Sequence, residues 1–405
     1  MNKKLHICFL QYDLRGGGAE RKVCTLANYF ASCGHTVEIG LFGTNNVAYR
    51  LDEKIKVTFI RRNNFEYKNK AGKAIYKLKS GVTLAAASVM SVASKKSGAR
   101  FRAHFKKAYD YTQPLQRFIL NRSDAVFITM MVDPYLEVLR VMDRFWHDKI
   151  AVPYLVMDCN DPTRDISAAM AKERDEKYPK ADRVLVMTNE AKNCFSEEIQ
   201  KKCEIIPNPI RDDLPEIYSG VRKKIVVNFC RLYIQKNLKL LIDAFAIFHE
   251  SFPDYRLELF GEGELYDELT AQISALGLSD CAVIRPFDSN IHNIIRDYAM
   301  YVLSSDWEGF SNSVLEALSM GIPTISTDCN FGPREMITDH KNGTLVPVGD
   351  KQALARAMAE LAENPALSES YSRESVKLRE LYSVEKIGRK WLDLIEKAAL
   401  ERGII

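Results

Sequence analysis

Residues 299–316 read AMYVLSSDWEGFSNSVLE, and residues 323–327 read PTIST. The two apolar runs at the ends of this stretch are typical of buried strands in a parallel sheet. Between them, residues 311–313 offer hydroxyl and amide side chains that cap a helix start, and the apolar residues that follow supply one buried helix face. Gly321 fits the helix stop, and Pro323 prevents the helix from continuing. The stretch therefore predicts a strand, a helix and a second strand of an α/β fold.

Two glutamates, Glu308 and Glu316, stand eight residues apart in this stretch. Glu308 lies on the predicted loop before the helix, and Glu316 lies about one turn inside the helix. Free N–H groups and the helix dipole favour an anion at a helix N-terminus, so both carboxylates can face a ligand whose phosphates rest there. The carboxyl end of a parallel strand is also where open α/β folds bind ligands. The alternative is an ordinary amphipathic helix with two solvated glutamates.

The sequence around these glutamates resembles a family signature. Residues 308–316, with Gly-Ile-Pro at 321–323 and Gly-Pro-Arg-Glu at 332–335, are similar to the C-terminal signature of the retaining nucleotide-sugar glycosyltransferases of family 4. The resemblance covers nearly the whole chain and is weakest at residues 61–122. It implies the GT-B fold, an α/β architecture of two Rossmann-like domains that face a cleft. It also implies a C-terminal helix that crosses back to the N-terminal domain.

Length and composition limit the class of protein. The 405 residues are enough for two domains with separate cores, and a hydrophobic content of 46% is typical of a soluble globular protein. The longest weakly polar run, residues 81–93, is too short and too rich in Ala and Ser to cross a bilayer. An apolar block at residues 5–10 follows two lysines and predicts a first strand rather than a signal peptide. The nine cysteines form no CxxC pair, which predicts reduced thiols and a cytoplasmic protein.

Alternating strand and helix patterns divide the chain into two α/β sets. In the first set, helical spacing at residues 19–31 lies between strand-like runs at 5–10 and 37–42, which predicts a βαβ unit with parallel strands. Further strands of this set are predicted at residues 56–60, 125–130, 154–157 and 183–187. The second set is predicted to contain strands at 225–229, 256–260, 281–284, 299–305 and 323–327, and helices at 238–248 and 265–276.

The domain limits follow from a linker and from the last helix. Two prolines at residues 204–210 oppose regular structure and suit an interdomain linker. We therefore expect one domain over residues 1–210 and another over residues 211–383; the resemblance implies that the first binds the acceptor and the second the nucleotide sugar. An amphipathic pattern from residue 384 predicts a long final helix. By resemblance, residues 384–405 pack on the N-terminal domain.

A glycine run, Gly16, Gly17 and Gly18, ends the first predicted strand and opens the first helix. Glycines let backbone N–H groups approach an anionic or polar ligand closely. A flexible turn without a ligand is one alternative, and a dinucleotide site is another. The dinucleotide-binding motif requires a further glycine three residues after Gly18, where this chain has Arg21. The acid that binds the ribose in that motif follows about twenty residues later, and Glu38 has this spacing. The resemblance implies instead a loop beneath the donor sugar and its phosphates.

Two cations, Arg231 and Lys236, follow the strand predicted at 225–229. The resemblance implies that they grip the donor diphosphate. Two fixed cations stabilise the charge that grows on a leaving nucleoside diphosphate. No Asp-x-Asp motif occurs in the chain. We therefore predict no metal and no cofactor, with a nucleotide sugar as co-substrate; a solvated basic loop is the alternative.

The resemblance assigns further roles to the glutamate stretch. Glu316 accepts hydrogen bonds from the ribose hydroxyls, and Glu308 contacts the donor sugar near its reacting end. Backbone N–H groups that bind the sugar or the β-phosphate are expected from Phe310, Ser311 and Asn312. Glu308, Arg231 and Lys236 are the residues predicted to act in catalysis.

Candidate sugar contacts also arise in the N-terminal half. Residues 158–164 read DCNDPTR and resemble a loop of a polysaccharide-forming branch of the family, so Asp158 and Asn160 are candidate contacts to the acceptor or the donor sugar. A structural turn is the alternative. Several relatives carry a His after the preceding strand, whereas residues 129–133 contain none. Asp133 is the candidate replacement.

Residues 61–122 are strongly basic. They hold 15 Lys and Arg against two acids, a local charge of +13 that leaves −9 for the rest of a chain whose total is +4. Such asymmetry calls for a polyanionic partner, and no nucleic-acid motif accompanies it. Apolar residues interleave with the cations as an interfacial helix requires, so we expect docking to an anionic membrane, with the protein peripheral on the inner face of the cell membrane. A solvated basic face is the alternative.

The function expected from these features is transfer of a sugar, with retention, from a nucleotide donor to a hydroxyl of a glycan. A UDP-sugar donor and a lipid-linked or cell-surface polysaccharide acceptor are expected. Alternatives within the fold are a nucleotide-sugar epimerase or a phosphorylase, since a fold does not fix a function. A non-catalytic nucleotide-binding protein is the alternative outside enzymes.

Overall fold

The computed structural model describes residues 4–15, 17–44, 46–60, 113–130, 138, 154–157, 161–164 and 167–405. Within these residues the strands form two sheets, one in each half of the chain, and neighbouring strands in both are parallel. The first sheet contains β1 (His6–Gln11), β2 (Thr36–Leu41), β3 (Lys56–Phe59), β4 (Ala125–Met130), β5 (Tyr154–Met157), β6 (Arg183–Val186) and β7 (Cys203–Ile205). Its spatial order is β3-β2-β1-β4-β5-β6-β7.

The second sheet has six strands in the described part of the chain. They are β8 (Lys223–Phe229), β9 (Arg256–Phe260), β10 (Ala282–Arg285), β11 (Tyr298–Leu303), β12 (Thr324–Thr327) and β13 (Thr344–Val346). Their order is β10-β9-β8-β11-β12-β13. In both sheets the strand order reverses beside the first strand, between β1 and β4 and between β8 and β11. Ligands of open α/β folds bind at such switch points, beyond the carboxyl ends of the strands.

Helices connect the strands and cover the sheets. In the N-terminal half they are α1 (Gly18–Ser32), α2 (Gln113–Leu120), α3 (Ala168–Lys177), α4 (Asn189–Asn193) and α5 (Glu197–Gln200). The C-terminal half contains α6 (Leu238–Ser251), α7 (Tyr266–Ala275), α8 (Ile291–Ile295), α9 (Asn312–Ser319), α10 (Pro333–Met336), α11 (Lys351–Glu363), α12 (Pro365–Ser375), α13 (Leu378–Leu381) and α14 (Val384–Glu401). This is the expected architecture of two Rossmann-like halves.

The predicted apolar faces account for the packing. On α1, Val23, Leu26, Ala27 and Phe30 are buried, and the ring of Phe30 stacks on Phe9 of β1 with centroids 6.1 Å apart. Burial of each large apolar side chain stabilises the fold by about 1.5–3 kcal/mol. The spacing of these apolar residues therefore favours a helix and also determines which face of that helix packs on the sheet.

The C-terminal helix α14 returns to the N-terminal half, as the resemblance implies. Its apolar stripe, which includes Ile387 and Trp391, is buried, and Gly388 lies directly against the ring of Tyr29 on α1. A Cβ at position 388 would come within 2.3 Å of that ring, so the close approach requires glycine. Ion pairs from Arg183 to Glu401 and from Arg402 to Asp182 fix the end of the helix.

The structure changes two expectations, one on the segment 204–210 and one on Arg122. The segment 204–210 is not wholly irregular, because β7 runs through its first two residues as an edge strand and the prolines follow it. The domain limit at residue 210 stays a prediction. Arg122, counted in the basic stretch, is 16% exposed and binds both carboxylate oxygens of Glu38, so its charge is neutralised inside the protein. Residues 61–112 of that stretch lie outside the described residues.

No helix among the described residues is long and apolar enough to cross a bilayer. The eight cysteines in the described part of the chain are all free. The expectations of a cytoplasmic location and of membrane docking stay predictions.

Candidate functional site

The helix that follows β11 begins at Asn312. Its N-cap, Ser311, has φ 59°, a left-handed conformation that is costly for a residue with a Cβ and is common at functional sites. The expectation that Ser311 caps the helix through its side chain was wrong, since that hydroxyl makes no capping hydrogen bond. It is buried and has no hydrogen-bond partner among the residues that the structure describes. At the other end, Gly321 has φ 68° and stops the helix as predicted.

Lys236 and Glu308 form a buried ion pair at the carboxyl edge of the second sheet. Lys236 Nζ lies 2.7 Å from Glu308 Oε1, and the hydroxyl of Ser305 donates to the same oxygen at 2.6 Å. Glu308 is 4% exposed. Burial alone lowers the pKa of Lys236, but the charge of Glu308 outweighs that effect and raises it. The ammonium is therefore held charged at the place where a donor diphosphate is expected.

The loops that carry this pair are joined by several hydrogen bonds. Ser304 Oγ donates to the carbonyl of Lys236 at 2.9 Å, and the side chain of Gln235 donates to the carbonyl of Trp307 at 2.8 Å. Asn237, in a left-handed conformation, donates to Asp306 at 2.8 Å. These hydrogen bonds join the loop after β8 to the loop after β11. They therefore keep Lys236 and Glu308 in contact.

Glu316 lies in a second charged cluster. Its Oε2 is 2.8 Å from Nε2 of His292, and Nδ1 of that ring is 2.8 Å from a guanidinium nitrogen of Arg211. Since arginine only donates, Nδ1 accepts and the ring proton lies on Nε2, which donates to Glu316. Arg211 is anchored in turn by Asp213 at 2.6 Å. Burial alone raises the pKa of Glu316, but Arg21 and then His292 outweigh it, and the pKa is about 2.

The Glu316 cluster also receives a contact from the N-terminal half. Arg21 Nη2 of α1 lies 2.5 Å from Glu316 Oε1. Beside it, the amide of Asn208 donates to Asn312 Oδ1 at 2.8 Å. A Cβ at Gly18 would come within 2.7 Å of Asn312 Nδ2, so the glycine loop approaches α9 closely. The two halves therefore meet directly at the two predicted donor-binding segments.

Two further contacts join the halves near the site. The backbone N–H of Phe331 donates to Glu190 at 3.2 Å, next to the Gly-Pro-Arg-Glu motif at 332–335. The guanidinium carbon of Arg164 lies 5.5 Å from the ring centroid of Trp307, within the range of a cation–π contact. The second contact places the N-terminal half beside the residue that precedes Glu308.

Five of the predicted residues lie at one edge of the second sheet, in two groups. Lys236 and Glu308 form one group, and Gly18, Asn312 and Glu316 lie in the other. Gly17 and Arg231 are exposed, and no described residue forms an ion pair with Arg231. Phe310 is buried and packs on Tyr382 with ring centroids 6.0 Å apart, so its side chain is structural. Four predicted contacts lie outside the described residues: Gly16, Asp133, Asp158 and Asn160.

Sequence reasoning missed Arg21, His292 and Arg211 as members of the site. The sequence placed Arg21 in the glycine-loop motif at 16–21 and in the position of a dinucleotide-site glycine, but its position in the first turn of α1 was a further usable signal. A basic residue there opposes the helix dipole and needs an anionic partner. His292 follows no motif, and its role depends on the packing of α8 against α9.

The dinucleotide alternative fails at Glu38. This carboxylate lies within β2, away from the carboxyl end of the strand, and it is bound by Arg122 and Thr58. The glycine loop follows the carboxyl end of β1, whereas Glu38 lies nearer the amino end of the neighbouring parallel strand β2. Glu38 therefore cannot contact a ribose bound at that loop.

A cluster of metal-ligand atoms surrounds the same carboxylate. One atom each of His6, Cys8 and Glu38 lies within 4.8 Å of the others. Arg122 already binds Glu38, Lys56 Nζ lies 3.5 Å from it, and burial raises the pKa of the Cys8 thiol. A cation there would meet two positive charges and a protonated thiol, so these residues fit a structural network. The absence of a metal from the reaction stays a prediction.

Comparison in sequence points to one family. Residues 209–377 match the family described as glycosyl transferases group 1. The chain is 31% identical over 224 residues to the N-acetylgalactosamine-N,N'-diacetylbacillosaminyl-diphospho-undecaprenol 4-alpha-N-acetylgalactosaminyltransferase of Campylobacter jejuni, covering 52% of this chain and 59% of that protein. It is 28% identical over 262 residues to an uncharacterized glycosyltransferase of Methanocaldococcus jannaschii, covering 54% and 64%. The chain thus spans less than two thirds of the length of these relatives.

Comparison of structures extends over both halves of the chain. TarM of S. aureus superposes with a TM-score of 0.74 at 15% identity, covering 97% of this chain and 99% of that one. Anabaena HepE, solved in complex with UDP, has a TM-score of 0.74 at 15% identity and coverages of 97% and 100%. At such identity the likeness concerns the fold, which is GT-B. Residues 209–377 are thus similar in sequence to the glycosyl transferases group 1 family, and the fold of the chain is that of GT-B glycosyltransferases.

Proposed function

We propose that this chain is a retaining glycosyltransferase of family 4 that moves a sugar from a nucleotide-sugar donor to a hydroxyl of a glycan acceptor. The observation that carries the proposal is the buried Lys236–Glu308 pair, with Glu316 on the following helix, at the switch point of the second sheet. A nucleoside diphosphate fits this edge because it needs a cation, hydrogen-bond acceptors for its ribose and an approach to a helix N-terminus.

The donor would bind with its diphosphate beside Lys236 and Arg231 and its ribose hydroxyls on Glu316. Lys236 would then share its charge between Glu308 and the leaving phosphate. Glu308 would remain close to the donor sugar. The buried setting strengthens these electrostatic interactions, since little water competes for the same groups.

A front-side displacement fits this set of groups. The bond from the anomeric carbon to the β-phosphate oxygen breaks, and the acceptor oxygen bonds to that carbon on the same face. The acceptor proton passes to the leaving phosphate, so no protein base is required. The chain would contribute positioning and stabilisation of the charge on the phosphate.

A UDP-sugar is the proposed donor, and a lipid-linked or cell-surface glycan is the proposed acceptor. UDP is bound in the HepE structure, and the C. jejuni relative is named for a diphospho-undecaprenol acceptor. The basic stretch at residues 61–112 supports docking to an anionic membrane, where such an acceptor would be embedded. On this proposal the enzyme works at the inner face of the cell membrane.

A panel of UDP- and GDP-sugars tests the proposal. We expect one donor to release its nucleoside diphosphate faster when a lipid-linked glycan is added, and the product to keep the anomeric configuration of the donor. Release without transfer, or product with inverted configuration, would contradict retention. Binding of nucleotide without any release would favour a non-catalytic nucleotide-binding protein.

A further inference from the structure

The ion pair between Arg21 and Glu316 joins the two halves at the centre of the proposed donor site. Its atoms lie 2.5 Å apart, and the side chains are 24% and 6% exposed. Glu316 is buried and Arg21 is partly buried, so removal of one partner leaves a charge that water compensates only in part, which is unfavourable. A ligand that displaces Arg21 from Glu316 therefore binds more favourably if it also offers the guanidinium a new anionic partner.

The two carboxylate oxygens of Glu316 are held differently. Oε2 is bound by His292, which comes from the same half of the protein and is fixed by Arg211. Oε1 is bound by Arg21, which comes from the opposite half. Loss of the Arg21 contact would leave the His292 contact in place. Glu316 would therefore keep its orientation without Arg21.

An anionic partner stabilises Arg21 at its position in the helix. It lies in the first turn of α1, where the helix dipole places positive charge. A Cβ at Gly18, the first residue of α1, would come within 2.7 Å of the side-chain amide of Asn312, the first residue of α9. The first turn of α1 therefore lies beside the helix N-terminus proposed to receive the donor phosphates.

The proposed function requires Glu316 to accept hydrogen bonds from the donor ribose, where Arg21 is now bound. We propose that Arg21 pairs with Glu316 while the site is empty and passes to the donor diphosphate when the ribose replaces it on the carboxylate. This inference rests on the proposed function. On this proposal Arg21 distinguishes nucleoside diphosphates from nucleosides. A nucleoside displaces Arg21 from Glu316 and leaves it unpaired. A nucleoside diphosphate also displaces Arg21, but its phosphates become the new partner of the guanidinium.

Binding of UDP and uridine, and of GDP and guanosine, tests this assignment by calorimetry. In the wild type the diphosphate should bind more tightly than its nucleoside. Arg21→Gln should weaken diphosphate binding by about tenfold or more, the worth of a charge-assisted contact, and should tighten nucleoside binding because no ion pair must be broken. Arg50→Gln, an exposed arginine in the same half, is the matched control and should change neither.

Two outcomes would overturn the assignment. Equal changes in diphosphate and nucleoside affinity would show that Arg21 only supports the fold. No binding of either class by the folded wild type would overturn the nucleotide site itself, and the exchange with it. Arg21→Lys keeps one charge and should retain most of the diphosphate preference, so it tests the exchange even if Arg21→Gln fails to fold; loss of that preference in the folded Lys variant would contradict the proposal.

Discussion

Lys236 Nζ lies 2.7 Å from Glu308 Oε1, and the two residues come from loops after the two central strands of the second sheet, β8 and β11. The pair is possible because these strands are parallel neighbours and end at the same edge. The charge of Glu308 keeps the buried Lys236 ammonium charged. Removal of either partner therefore affects both the fold and the site.

Lys236→Ala is expected to lower sugar transfer about 10²-fold or more, because the leaving phosphate loses a fixed cation. It should also lower the free energy of unfolding by about 3 kcal/mol, since Glu308 is left buried without its ion pair. Initial rates of UDP release and urea denaturation measure the two effects. Lys239→Ala, an exposed lysine on the next helix, should behave like the wild type. Near-normal turnover by Lys236→Ala would contradict its assignment.

Glu316→Ala is expected to raise the donor KM and to lower transfer steeply, because the ribose loses its acceptor and Arg21 loses its partner. Steady-state kinetics with varied donor concentration measure the effect. Glu360→Ala, on the exposed face of α11, is the matched control. An unchanged donor KM in a folded Glu316→Ala variant would remove the carboxylate from the donor site.

Trp307 is expected to report donor binding by fluorescence, since it precedes Glu308 and contacts Arg164 from the other half at 5.5 Å. Titration of the wild type with UDP should change the emission, and Trp307→Phe should lose that change. Trp391→Phe, in the buried stripe of α14, should keep it. An undiminished signal in Trp307→Phe would place the environmental change elsewhere.

The His6 network predicts a pH-dependent stability. The carboxylate of Glu38, and then that of Asp124 at 3.3 Å, raise the pKa of His6 above 6.5. The stabilisation that protonated His6 gives to the folded state is complete below pH 6.5. It is lost as the pH rises through the raised pKa of His6 in the folded state. Between about pH 6 and about pH 9 the wild type should therefore lose more free energy of unfolding than His6→Gln. His340→Gln, on the surface, should follow the wild type; parallel curves for all three would show that His6 makes no such contribution.

Membrane docking predicts co-sedimentation with vesicles that contain anionic lipid at low salt. Each cation near such a surface contributes about 1 kcal/mol, so Lys95→Glu with Lys96→Glu should clearly reduce the bound fraction. Lys223→Glu with Lys224→Glu reverses the same charge in the other half and should leave binding nearly unchanged. Equal binding to neutral vesicles, or equal loss in both variants, would contradict electrostatic docking.

Short-range chemistry made much of the architecture predictable. Apolar runs, helical spacing and the glycine and proline stops predicted β1, β4, β11, α1 and α14 within one or two residues. The Glu308–Glu316 spacing also predicted a loop and a helix start at a strand end, as the structure has it. The three-residue strands β7 and β13 were not predicted, because a strand of that length has no periodicity and depends on its neighbour in the sheet.

The sequence was sufficient for features that adjacent residues specify: the two α/β sets, the switch-point loops and the positions of Lys236, Glu308 and Glu316 after β8 and β11. Contacts between distant segments required the folded chain. Arg21 meets Glu316 only because the two halves contact each other, and Arg122, which follows α2, reaches Glu38 only because Phe118 of α2 packs against Gly40 of β2. The energies of such pairs depend on distance and burial in three dimensions, and no local pattern encodes either quantity.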